Sequence, residues 1–154
     1  MTTEQIEEPG AAPQASPVED INARPDDVLR LLVDIVNDSG DWEMTIPVTL
    51  HVSGTIVSGL LIPHKVYWKA FRAFMQAAGS PAREIGDAFT EPILKGIEAA
   101  VQAKDEGAAP PPPNYIHLGD AVVWAPGVEP TLPKTLWRGR LSHVSAWSIG
   151  AFGG

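Results

Sequence analysis

The spacing of apolar residues changes several times along this chain, and each change predicts an element. From Pro25 to Asp38 the period is helical: Val28, Leu31, Leu32, Ile35 and Val36 form one stripe, with Arg30, Asp34 and Asp38 turned mostly away. Pro25 suits the first helical position, Asp26 and Asp27 meet the positive end of the dipole, and Gly40 can close the C-terminus. From Trp42 to Val52 the period falls to two. Trp42, Met44, Ile46, Val48, Leu50 and Val52 then share one face, and Glu43, Thr45, Pro47, Thr49 and His51 the other, as in a half-buried strand. Pro47 has no N–H to give a ladder, which predicts an edge or a bulge there. Ser53-Gly54 reads as a hairpin turn into a second strand, Thr55 to Ile62, where Gly59 permits a bend or a close backbone approach.

The helical period returns at Lys65 to Ala78, with Tyr67, Phe71, Phe74 and Ala78 opposite Lys65, Lys69, Arg72 and Gln76. Ser80-Pro81 starts another helix, running to Lys104 with Ile85, Ala88, Phe89, Ile93, Leu94, Ile97 and Val101 as apolar positions, and Pro92 is expected to kink or split it. The four prolines that end Gly107–Pro113 make a stiff linker. Strand character follows at Tyr115–Leu118 and Ala121–Trp124, then at Leu136–Leu141 and Val144–Ile149.

The order is a helix, two strands, a helical insertion and three short strands. It predicts an α+β fold: a small bent antiparallel β-sheet or an Sm-like or SH3-like barrel, with an N-terminal helix and the insertion between strands two and three. In the closed form Leu50, Leu60, Ile116 and Leu141 would share one interior. The domain plan is an acidic disordered tail (1–24) and one domain (25–154) containing the insertion (64–106) and the proline-rich linker (107–114).

Charge narrows the classes of partner. The formal net charge is −8, and the tail holds five acidic side chains against Arg24. This disfavours nucleic acid, which is bound through clustered Lys and Arg. Cysteine is absent, which excludes disulfides and thiolate metal sites and is simplest in a cytoplasmic protein. No apolar run approaches the roughly 18 residues of a membrane span, so no membrane partner is expected.

Candidate chemistry is sparse. His51, His64, His117 and His143 form no helical pair at metal-binding spacing, and His51 and His117 read as solvent-facing or hydrogen-bonded strand residues. The serines lack a nucleophile elbow, and the glycines make no phosphate loop. No catalytic, cofactor-binding or metal residue is expected, and the chain reads as non-enzymatic. A binding surface is a better fit. Trp137, Arg138, Arg140 and Trp147 in the last hairpin have the composition of interface hot spots, although strand alternation turns Trp137 inward. Lys65, Lys69 and Arg72 form a basic helix face able to receive an acidic surface.

Three segments, Val52–Pro63 (VSGTIVSGLLIP), Tyr115–Leu118 (YIHL) and Leu136–Leu141 (LWRGRL), occur in this order around the helical insert. Together they resemble the gas vesicle accessory protein GvpU family. The resemblance implies a non-enzymatic cytoplasmic protein associated with gas vesicles. It would bind the vesicle shell or other accessory proteins in assembly, stability or clustering, and could self-associate as a homo-oligomer. It carries over no ligand or catalytic residue. The alternative is an Sm-like RNA-binding or general protein-interaction module, against which the acidic balance argues.

Overall fold

A computed structural model describes residues 24–40, 44–129 and 134–152. Helix α1 (Asp27–Ser39) begins one residue past Asp26, whose carboxylate accepts the Leu29 amide at 2.7 Å, and ends at Gly40 in the left-handed region. Pro25 therefore precedes the cap. Strands β1 (Ile46–Val52) and β2 (Thr55–Leu61) form a hairpin, and helices α2 (His64–Ala77) and α3 (Ala82–Asp105) make up the insertion. Strands β3 (Tyr115–Trp124), β4 (Thr135–Arg140) and β5 (Val144–Ile149) follow. The sheet is antiparallel in the order β4-β3-β2-β1-β5. This is the expected α+β plan with the insertion between the second and third strands. The disordered tail expected over residues 1–24, and Trp42, lie outside the described residues apart from Arg24.

The two outer strands are joined only by a 3-10 turn, Leu141–His143. Across a flat sheet of this order they would lie about 19 Å apart. From Arg140, paired with Tyr115, to Val144, paired with Val52, four residue steps reach about 14 Å at most. The sheet must therefore curl until its outer strands approach at that corner. It does not close: among the described residues no ladder joins β4 to β5, and the Leu141 amide bonds to the Asn114 carbonyl at 2.9 Å instead.

Curling is helped by one extra residue in β3. Leu118 pairs with Trp137 and Ala121 with Thr135, while on the other side Leu60 pairs with Gly119 and Ser58 with Val122. β3 thus carries one more residue than either neighbour, a bulge marked by Asp120 at φ +48°. It also joins the two runs Tyr115–Leu118 and Ala121–Trp124 into one strand. Gly59 faces this bulge so closely that a Cβ there would stand 2.9 Å from the Gly119 carbonyl oxygen. The hairpin turn is as expected, with Ser53 and Gly54 both at positive φ.

The layers are α1, the sheet, and the α2–α3 hairpin. Leu29, Val33 and Val36 of α1 pack with Val48, Leu50, Val57, Leu61, Ile116, Leu118 and Leu141 on one face of the sheet. On the other face Ile62, Val66 and Tyr67 pack with Leu60, Trp68, Phe71 and Leu136. Leu50, Ile116 and Leu141 share an interior as expected, but Leu60 lies on the opposite face. The run Leu60-Leu61-Ile62 is apolar throughout because this part of the sheet is covered on both sides, and such a run carries no parity from which to choose a face. The stripe on α1 is also displaced from the expected one. Leu29, Val33 and Val36 face the sheet, whereas Val28, Leu31 and Ile35 are exposed. Nor does Pro92 split α3, which is continuous over Ala82–Asp105. Pro92 and Ala88 are both exposed, so the carbonyl deprived of its helical partner is open to water.

Pro47 stands in β1 between β2 and β5, and the predicted edge or bulge is met differently. The β1–β5 ladder begins at Val48–Ile149, and in the next pair the Gly150 amide donates to the Pro47 carbonyl at 2.8 Å. Proline has no N–H to return, and the Gly150 carbonyl takes the Thr49 hydroxyl instead at 2.8 Å. Thr49 and Ser58 are buried beneath this chain end, 3.2 Å apart, and Ser58 Oγ accepts the Phe152 amide at 2.7 Å.

Candidate functional site

The register of β3 against β4 pairs Tyr115 with Arg140 and His117 with Arg138. Residues two apart on a strand share a face, so the four side chains stand together on the α2 side of the sheet, Ile116 and Leu118 being turned into the core. The Arg138 guanidinium stacks 3.5 Å from the Tyr115 ring centre and 5.5 Å from that of Trp68 on α2. Arg140 reaches the same Tyr115 ring at 6.0 Å. Both arginines are exposed. They are held by aromatic faces, a geometry worth roughly 0.5–1 kcal/mol at such a surface.

His117 lies beneath them at 5% exposure, its ring 4.7 Å from Tyr67. Arginine only donates, so the 3.2 Å contact from Arg138 Nε makes His117 Nε2 the acceptor and places the neutral ring's proton on Nδ1. That Nδ1 is buried with no partner. Burial, then the charge of Arg138, then His64, push the His117 pKa down to about 3. His64 is also lowered by burial, against the opposing pull of Asp34 and Asp38. Burial raises the Tyr67 hydroxyl, offset in part by Arg138. At neutral pH His117 is therefore an uncharged post that orients Arg138, with its one basic nitrogen already occupied.

Among the described residues no carboxylate lies within ion-pair distance of Arg138 or Arg140. Residues two apart along a strand stand roughly 7 Å from each other, and like charges at that spacing repel by about 0.6 kcal/mol in bulk water and by more beside a low-dielectric ring. In a chain of net charge −8, this leaves a local positive site able to take a carboxylate or a similar anion. A groove of about 460 Å³ opens beside it, lined by Tyr67, Phe71, Phe74, Asp120, Lys134 and Leu136 among others.

The other residues singled out from the sequence lie elsewhere. Trp137 and Trp147 pack against the main core on the opposite face, and the Trp137 ring folds over Gly139, where a Cβ would have no room. Arg72 binds Asp87 at 2.7 Å and, with Lys69, lines a groove between α2 and α3 rather than joining the β4 arginines. Lys65 is half-buried at the start of α2, and His51 is exposed on β1. Tyr115, His117 and Trp68 were not singled out as binding residues. The signal for the first two was Tyr115-x-His117 facing Arg138-x-Arg140 in antiparallel register, legible only once that register is known.

The family described as gas vesicle protein GvpU-like matches residues 26–152, which include every described element. This chain belongs to the GvpU-like family. The match makes it a gas vesicle-related protein, and the arginine site lies inside the matched region. No curated protein and no solved structure matches the chain. Among the described residues of this GvpU-like chain, no helix is long and apolar enough to cross a membrane.

Proposed function

We propose that this GvpU-like protein acts by binding rather than by catalysis, using the Arg138–Arg140 face to hold an acidic segment of a gas vesicle shell protein or of another accessory protein. The observation that carries this reading is the pair of exposed arginines on Tyr115 with no carboxylate within ion-pair distance among the described residues. An arginine stacked on an aromatic face has already given up much of its side-chain freedom, so pairing with a carboxylate costs less ordering. The adjoining apolar groove fits a neighbouring hydrophobic side chain of the same segment. His117 supports a positioning role over a proton-transfer role, since its Nε2 is engaged and its pKa is far below neutrality. Binding to vesicles would place the protein in the cytoplasm at the vesicle surface and let it influence assembly, stability or clustering.

The test is co-flotation with purified gas vesicles, which rise and carry bound protein with them. Wild-type protein is expected to float at low ionic strength and to be released by salt, and Arg138→Glu/Arg140→Glu to stay in the subnatant. Equal flotation of the two would overturn the assignment of the face. Flotation abolished by nuclease would favour an RNA-mediated attachment instead.

A further inference from the structure

Strand β4 is an outer strand of the sheet and is paired on one side only, with β3. Two hydrogen bonds reveal which of its backbone groups this leaves over. In an antiparallel ladder, opposite residues alternate between a pair that exchanges both its bonds and a pair that exchanges none. The Leu141 amide donates to the Asn114 carbonyl, one step beyond the pairing of Arg140 with Tyr115, so that step is of the bonded kind. Counting back along β4, Gly139 and Trp137 turn their N–H and C=O groups toward β3, and Arg140, Arg138 and Leu136 turn theirs away from the sheet. The β2 side gives the same phase. The Ile62 amide donates to the His117 carbonyl at 3.0 Å, so His117 turns its backbone groups toward β2 and exchanges no bond with the residue opposite it on β4, Arg138. Among the described residues nothing pairs with this outer edge apart from the Thr135 hydroxyl, which donates to the Leu136 carbonyl at 3.3 Å.

We propose that the β4 edge takes its acidic partner as an added antiparallel strand, of the pattern acidic-x-acidic-x-apolar read from the partner's N-terminal end. Strand addition of this kind draws affinity from main-chain bonds and selectivity from alternate side chains. Residues directly opposite on neighbouring strands share a face, with Cβ atoms about 5 Å apart. Acidic side chains opposite Arg140 and Arg138 therefore meet the two guanidiniums, and the apolar one, opposite Leu136, meets the groove lined by Tyr67, Phe71 and Phe74. Leu136, Arg138 and Arg140 thus present free backbone groups and the selecting side chains together. A second copy of this chain is a poorer occupant. Antiparallel pairing of two β4 strands sets arginines against arginines, and β5, the other outer strand, carries no charged residue in Val144–Ile149 to answer them. The inference rests on the reading of Arg138 and Arg140 as an acidic-segment site and adds the conformation and register of that segment.

The probe is a capped peptide of sequence TETETVT, added to the full chain labelled with ¹⁵N. In register its glutamates stand opposite Arg140 and Arg138 and its valine opposite Leu136. The amides of these three residues are expected to shift and, at a peptide concentration about ten times the dissociation constant, to exchange with solvent about 10-fold more slowly. The amides of Trp137 and Gly139, already bonded to β3, should keep their rates. N-methylation of the second, fourth and sixth peptide residues, whose amides face β4, should abolish binding, and N-methylation of the third and fifth, whose amides face away, should leave it unchanged. The isomer TEETTVT, which can put only one carboxylate on the arginine face, should bind several-fold more weakly. Binding that ignores both N-methylation patterns and slows none of the three amides would overturn strand addition and leave the acidic-segment site standing. Equal slowing by TQTQTVT would reject the acidic reading on which the proposal rests. No shift at about 5 mM peptide, enough to detect a millimolar dissociation constant, would overturn the proposal. Protection of the three amides that grows with protein concentration in the absence of peptide would also overturn it, because the edge would then pair with another copy.

Discussion

Replacing His117 tests the construction of the arginine face, because the ring's burial has a calculable consequence for stability. With a folded pKa near 3 and an ordinary value of 6.5 when unfolded, the ring takes up a proton on unfolding anywhere between those limits. The unfolded state binds more protons there, so stability rises with pH, and this contribution, full above pH 6.5, is lost as pH falls toward 3. Between pH 7 and pH 5 the folded ring stays neutral and the unfolded ring goes from mostly neutral to mostly charged, which removes about 2 kcal/mol. His117→Gln keeps a side-chain oxygen for Arg138 Nε but cannot titrate. Urea unfolding of both proteins at pH 7 and pH 5 isolates the effect, since the other histidines and the carboxylates are common to both. The wild type should lose about 2 kcal/mol more than the variant over this interval. Equal losses would show that the folded ring accepts a proton as readily as the unfolded one, and the account of a buried neutral post under Arg138 would fail.

Other predictions concern the frame that holds this face. Gly59→Ala drives a methyl group against the Gly119 carbonyl at the β3 bulge and should cost about 1–3 kcal/mol in chemical denaturation. Leu29→Ala should cost about 2–5 kcal/mol, whereas Leu31→Ala, two positions along the same helix but on its exposed side, should stay within about 0.5 kcal/mol by the same measurement. Thr49→Val leaves the Gly150 carbonyl without its hydroxyl donor and should cost about 1–2 kcal/mol, with faster hydrogen exchange at the Phe152 amide as its local sign.

The elements of the fold were readable wherever local periodicity sets them. The change to a period of two, the Ser53-Gly54 turn and the placing of the insertion after β2 all follow from residues close in sequence, although β1 begins at Ile46 and the expected start at Trp42 lies outside the described residues. Assignments that depend on what packs against an element were not readable in the same way. Helix α1 carries apolar residues at Val28, Leu29, Leu31, Leu32, Val33, Ile35 and Val36, so two stripes compete, and only the position of the sheet decides that Leu29, Val33 and Val36 are buried. Leu60 and Leu61 present the same ambiguity in a strand covered on both faces. The binding face was half legible. Arg138 and Arg140 stand out in an acidic chain, but the tryptophans beside them belong to the core, because alternation sends Trp137 to the opposite face and β5 lays Trp147 against Leu50. Tyr115 and His117 join the arginines only through a pairing of strands that nothing local encodes, and Trp68 only through the packing of α2.

The most direct measurement is the affinity of the protein for purified gas vesicles with the two basic surfaces neutralised separately. Arg138→Gln/Arg140→Gln removes the stacked pair, and Lys65→Gln/Lys69→Gln removes two charges from α2. Charge-assisted hydrogen bonds are worth about 1.5–3 kcal/mol each, so losing the arginines should weaken binding by about 100-fold or more, while losing the lysines should weaken it by less than about 10-fold. Equal weakening by the two pairs would mean that vesicles respond only to net charge, and no weakening by the arginine pair would contradict the account outright.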